Sequence, residues 1–189
     1  MILSIVKYGH PVLRQKGLRI EKLTPEIKQL IGDMFETMYE AAGVGLAAQQ
    51  VGQALQLTVL DVRAVKDRPS TLEIGGKPAE VASMMPLVLI NPQIRSFGDP
   101  ATGPEGCLSF PQVYADITRP EFVEVQALDA GFKTIEFRAG GLLSRAIQHE
   151  VDHLNGILFI DRMSSTEKSA LKSELEELQN ASKAALKKG

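Results

Sequence analysis

The sequence predicts an α+β domain: short, mostly antiparallel sheets packed around a central metal-binding helix, with a further helix at the C-terminus. Three observations carry this reading. Apolar residues recur at helical spacing in two places, near the start and near the end of the chain. Strand-like segments separated by glycine and proline clusters lie between them. And one helical stretch carries His149-Glu150-Val151-Asp152-His153, which places two imidazoles one turn apart on the same face.

The elements follow in order. Thr24 is a good N-cap and Pro25 suits the first helical position, so a helix is expected from Pro25 to Ala42. Its core face is Ile27, Leu30, Ile31, Met34, Phe35, Met38 and Ala42, and Gly43 is its expected stop. Gly43 to Gln50 reads as a compact loop. It lacks the Lys-Ser or Lys-Thr and the spacing of a phosphate loop. Leu55 to Val62 and part of Pro86 to Phe97 read as strands, joined by a polar, turn-rich connection over 63–85 with a short strand at Thr71 to Ile74. Pro100 to Gly106 looks like a turn that bends the chain into Cys107. Glu121 to Leu128 and Lys133 to Phe137 form a hairpin around Asp129-Ala130-Gly131. The metal helix runs from Gly141 to Leu154 and stops at Asn155-Gly156, followed by a short strand at Ile157 to Ile160. Ser164-Ser165-Thr166-Glu167 reads as a capping box that opens a last helix to Leu186, with a thin stripe of Leu171, Leu175 and Leu178. Residues 1–163 are expected to form the catalytic domain, with 164–189 as a helix packed on it or extending from it.

Composition narrows the class of function. The 189 residues are 44% hydrophobic, enough for a real core. Their 21 basic and 23 acidic residues leave a net charge of −2, so no electrostatic case exists for a nucleic-acid substrate. No apolar run has the length of a membrane span. The apolar N-terminus has neither a basic leader nor a cleavage site and reads as structure. One cysteine, Cys107, forms no internal disulfide, which fits a reducing cytoplasm. An organellar origin with the transit peptide removed stays open.

The chemistry concentrates at few residues. His149 and His153 make a bidentate grip on a transition metal, and Glu150 lies where a general base is needed for hydrolysis. Cys107, in Glu105-Gly106-Cys107-Leu108-Ser109, completes a thiolate-plus-two-imidazole set with an open fourth position, the arrangement of a catalytic site. The plain alternatives are a buried hydrophobe for Cys107 and a solvated face for the helix.

Three motifs in this order resemble the peptide deformylase family: Gly43-Val44-Gly45-Leu46-Ala47-Ala48-Gln49-Gln50, Glu105-Gly106-Cys107-Leu108-Ser109 and Gln148-His149-Glu150-Val151-Asp152-His153. The opening Ile5 to Arg14 is similar as well, so the resemblance covers residues 1–163. It implies a metal-dependent hydrolase that removes formyl from the N-terminal formyl-methionine of newly made polypeptides, working in the bacterial cytoplasm with transient ribosome association. It implies one divalent ion, Fe²⁺ first, with Zn²⁺, Ni²⁺ or Co²⁺ as alternatives, held by Cys107, His149 and His153. Glu150 would carry the proton, and the Gln50 amide and the Leu108 N–H would face the oxyanion. By the same resemblance Val44 and Leu142 would border the methionine pocket, with core packing as the competing reading. The backbone at Gly45 and Leu46 would pair with the extended substrate. Gln148 is expected to order the motif loops, Asp152 to hold a ligand histidine or make a surface ion pair, and Glu105 to anchor the cysteine turn.

Two departures from the family pattern stand out. Arg145 occupies a position that is apolar in several relatives, and Phe110 to Tyr114 lacks an arginine that some relatives use to hold the peptide. Rival readings differ in their ligands. A zinc endopeptidase requires a third ligand downstream of the helix, yet the remaining histidine, His10, lies far upstream. A metal-stabilised binding module has no use for Glu150 or Gln50 and more often has four protein ligands.

Overall fold

The computed structural model describes residues 1–189. Its framework is one antiparallel sheet of seven strands: β1 (Gly45–Ala47), β2 (Leu57–Leu60), β3 (Ser70–Ile74), β4 (Lys77–Ala79), β5 (Leu87–Cys107), β6 (Phe110–Leu128) and β7 (Thr134–Gly140). Their order is β1-β2-β5-β6-β7-β3-β4. β1 and β4 are therefore the edges, and the long β5–β6 pair is the spine.

That pair corrects the expected turn at Pro100 to Gly106. The segment is extended and pairs with Tyr114 to Pro120. Register shifts at Ile90/Gln93, Phe97/Pro100 and Gly106/Cys107 take up the residues that a regular ladder rejects. The bend comes after Cys107 instead, as a two-residue turn at Leu108-Ser109 between the paired Cys107 and Phe110. Cys107 thus sits at a hairpin tip. Lys7 Nζ donates to Leu108 O at 2.8 Å and Tyr8 N to Ser109 O at 2.9 Å, which pins the tip to the N-terminal segment.

Helix α1 (Pro25–Glu40) starts as expected, with Thr24 Oγ1 accepting from Ile27 N at 3.3 Å. It ends one residue earlier than the glycine suggested. Ala42 takes the left-handed conformation at φ 52, while Gly43 N donates to Met38 O and Ala42 N to Tyr39 O, the paired bonds of a Schellman end. Gly43 is required for space: a Cβ there would lie 2.8 Å from Leu108 Cδ1.

Helix α2 (Gly141–Leu154) has the expected bounds. Leu142 N and Leu143 N, which no helical carbonyl can serve, donate to Pro69 O and Ser70 Oγ at 3.0 Å. Every residue from Leu142 to Leu154 is buried. Leu143, Ile147 and Val151 pack with Leu60, Leu89 and Val123 of the sheet. A second core joins Met34 and Met38 of α1 to Leu46, Val59 and Ile90. A third gathers Phe110, Ile117, Leu158 and Phe159.

The expected strand at Ile157 to Ile160 is absent. Phe159 to Arg162 form a 3-10 turn because Asp161 Oδ2 takes the Leu158 N–H at 2.9 Å, and Phe159 and Ile160 are buried with no strand beside them. The last helix is broken at Leu171 into α3 (Ser165–Ala170) and α4 (Lys172–Lys188). Ser164 Oγ caps Glu167 N, but the Glu167 carboxylate accepts from Asp116 N at 3.1 Å and ties the helix to β6. Leu175 is buried in the third core, with Leu171 and Leu178 against it. No helix is long and apolar enough to cross a membrane.

Candidate metal centre

The fold brings the hairpin tip over α2. Cys107 Sγ lies 3.3 Å from His153 Nε2, and the ligand atoms of Cys107, His149 and His153 all fall within 4.8 Å of one another. That is close to the span one ion bridges with bonds of about 2.0–2.3 Å. His149 Nδ1 is engaged with Glu105 Oε1 at 2.9 Å, leaving its other nitrogen as the ligand. Burial lowers the proton affinity of His153 well below the ordinary value, and His149, Arg119 and Arg14 add to it. A soft thiolate with two imidazoles suits zinc and iron alike.

Glu150 is the atom-level sign that something binds here. It is buried, and its Oε2 has no hydrogen-bond partner, which costs free energy in a closed protein interior and is repaired by a bound ion or water. Burial pushes its carboxyl up to about 7, with His149 and Arg119 opposing and Glu105 adding. A proton carrier with that affinity works in both directions near neutral pH. Gly45 makes room for it: a Cβ on Gly45 would lie 2.5 Å from Glu150 Oε1.

Gln50 is buried beside the thiol. Its Oε1 accepts from Ala47 N at 2.9 Å, which fixes the amide so that Nε2 faces Cys107 Sγ at 3.5 Å and Ser109 Oγ at 3.3 Å. The Leu108 N–H makes no hydrogen bond within the protein. The chain therefore presents two N–H donors beside the converging ligands.

Behind the ligands stands a buried charge network. Glu105 receives Arg119 Nε at 2.6 Å, Arg145 Nη1 at 2.8 Å and His149. Arg145 also donates to Ile117 O and Ala101 O at 2.7 Å. Burial opposes the charged form of Glu105, but His149 and Arg119 outweigh it and hold the carboxyl far below the usual range. Glu105 is thus the residue that fixes the His149 ring. Asp152 does not touch one: it pairs with Arg119 at 3.0 Å and Arg162 at 2.9 Å. Gln148 reaches the sheet, not the motif loops, donating to Pro120 O and accepting from Ser96 Oγ. Arg145 is buried against the cleft wall.

Arg119 was not singled out from the sequence, although a signal existed. Val113, Ala115 and Ile117 alternate inward on β6, and Arg119 is the next inward position. A guanidinium on that face requires carboxylates opposite it.

The ligands open into a cleft of about 570 Å³. Val44, Gly45 and Leu142 line it, while the Leu46 side chain is fully buried in the α1 core and does not. β1 pairs only with β2, so its outer edge is open to an added strand. A larger depression of about 690 Å³ over β6 and β7 holds none of these groups.

Residues 2–169 match the family model described as polypeptide deformylase. The chain belongs to the peptide deformylase family. A peptide deformylase of Methylacidiphilum infernorum is 50% identical over 178 residues, covering 94% of this chain and 93% of that one. The crystal structure of a Legionella pneumophila peptide deformylase superimposes with a TM-score of 0.78 at 35% identity, over 96% of this chain and 97% of that one. A Synechococcus elongatus peptide deformylase in complex with actinonin gives 0.75 at 41% identity, over 95% of this chain and 85% of that one. As a member of this family the chain is a metal-dependent hydrolase that removes the N-formyl group from newly made peptides.

Proposed function

We propose that residues 1–163 carry out this deformylation with Cys107, His149 and His153 holding one divalent ion and Glu150 as the proton carrier. The observation that carries the assignment is Glu150 Oε2, buried and unpartnered beside the three converging ligand atoms. When bound, the ion supplies Lewis acidity toward the formyl oxygen and lowers the pKa of water. Glu150 takes a proton from the attacking water as the new C–O bond forms, then hands it to the methionine nitrogen as the C–N bond breaks, leaving formate and a free amine. The Gln50 amide and the Leu108 N–H receive the oxygen charge, each contributing about 3 kcal/mol to the barrier reduction. Glu105 holds His149 in the ligating tautomer.

The substrate is an extended formyl-methionyl peptide along the open edge of β1 at Gly45, with Val44 and Leu142 bordering the methionine side chain. Leu46 contributes only its backbone. The native ion is Fe²⁺, whose thiolate site is open to oxidation. Iron-loaded protein should lose activity in air while zinc-loaded protein keeps it, and equal persistence would count against iron. The enzyme acts on nascent chains in the bacterial cytoplasm beside the ribosome, with α3 and α4 of residues 164–189 packed on the catalytic domain.

The test is formate release from formyl-Met-Ala-Ser by protein purified without oxygen and loaded with Fe²⁺, beside Glu150→Gln. Release by the parent, lost by at least about a hundredfold in the variant with metal retained, supports the assignment. Undiminished turnover in the variant would remove Glu150 from the chemistry.

A further inference from the structure

We propose that Arg68 makes this cleft select formylated peptides carrying an acidic side chain shortly after the methionine. The proposal rests on the deformylase reading and adds a substrate preference to it. Arg68 belongs to the connection between β2 and β3, yet it reaches the cleft wall, where Nη1 donates to Pro104 O at 3.2 Å. A Cβ built on Gly103 would lie 3.4 Å from Arg145 Nη2 and 3.5 Å from Arg68 Nη2, so both guanidiniums lie over one stretch of β5. Their charges are not equivalent. Arg145 is paired with Glu105. Arg68 has no carboxylate within 4 Å.

The rest of the cleft has no charge to answer it. Its acids are Glu105, already shared between Arg119 and Arg145, and Glu150, at the chemistry. Lys7 lines the same cleft at the Leu108 end of this stretch, with a carbonyl as its partner and no acid in reach. The free charges that border the peptide are therefore cations. A formylated N-terminus is itself uncharged. The complementary charge must come from side chains further along the substrate, and a carboxylate fits a guanidinium fork best. Lysine or arginine at the same places meets repulsion.

The experiment compares kcat/KM for amidated tetrapeptides beginning with formyl-Met, with aspartate, alanine or lysine placed in turn at the second, third and fourth residues. Iron-loaded parent protein, Arg68→Ala and Arg68→Glu are used at low and high salt. The readout is the aspartate-to-alanine ratio within each protein, so a general loss of activity does not disturb it. In the parent the ratio should be roughly three to five in at least one position, the size of a partly exposed ion pair. It should fall toward one at high salt. Arg68→Ala should abolish it and Arg68→Glu should invert it in favour of lysine. A ratio at or below one in every position of the parent, or a preference that survives Arg68→Glu, overturns the proposal while leaving the deformylase reading intact. Absence of formate from every peptide, alanine included, overturns that reading and this one with it.

Discussion

Helices α2 and α4 have similar lengths and both are amphipathic in sequence, but they are held in opposite ways. From Leu142 onward α2 is buried throughout, including Arg145, His149, Glu150, Asp152 and His153. α4 buries Leu175 alone. The difference is in the partners. The sheet and the β5–β6 hairpin supply a charged or polar atom to nearly every ionisable group on α2, whereas α4 packs its leucines on an apolar cluster and lies against the backbone of Gly9. Burial of a polar helix is tolerated where each charge is answered. The exceptions on α2, Glu150 Oε2 and His153 Nδ1, both belong to the candidate metal centre.

Removing an answering charge is the harshest way to break that contrast. Glu105→Ala strands Arg145 and frees His149, and should cost roughly 3–5 kcal/mol in urea unfolding of the metal-loaded protein. Metal affinity should fall by about ten- to a hundredfold. A loss under 1 kcal/mol would mean that water enters the network and that α2 is less enclosed than its burial implies. On the other helix, Leu175→Ala should cost about 2–3 kcal/mol and leave kcat/KM for formyl-Met-Ala-Ser within about twofold, since Leu175 packs in the third core, away from the cleft lining. A tenfold activity loss would instead couple α4 to the cleft.

The smallest effect belongs to an ion pair outside both helices. Asp61 is hydrogen-bonded by Arg63 Nη2 at 2.6 Å and Tyr39 Oη at 2.7 Å. Arg63 chiefly, opposed by burial and helped by Tyr39, lowers its pKa to about 2 from 3.8. A depressed carboxyl stabilises the fold above its unfolded value and loses that contribution as pH falls through the folded one. The stability gap between parent and Asp61→Asn, on the order of 1–2 kcal/mol, should be constant from neutral pH to about 4 and close toward pH 2. A gap that closes above pH 5 would exclude Asp61 as its source.

The site was more legible than the strands that deliver it. His149, Glu150 and His153 share one helix, so spacing alone placed them together, and α2 has the bounds its glycines announced. Cys107 came from a motif, and its position at a hairpin tip did not. Pro100, Gly103, Pro104 and Gly106 read as a turn because local propensity has no knowledge of the β6 ladder that keeps them extended. Ile157 to Ile160 failed for the opposite reason: apolar β-formers with no neighbouring strand to pair with became a 3-10 turn in the core. The roles of Asp152 and Gln148 depend on residues about 28 to 33 positions distant, beyond the reach of periodicity.

The separation of 46 positions between Cys107 and His153 has a consequence for the life of the molecule. No local segment of the chain contains the whole ligand set, so the ion cannot be captured until the hairpin has formed and closed over the helix. An ion that binds only that closed state stabilises it by mass action. Starvation for the metal would therefore shorten the persistence of the folded enzyme as well as silence it.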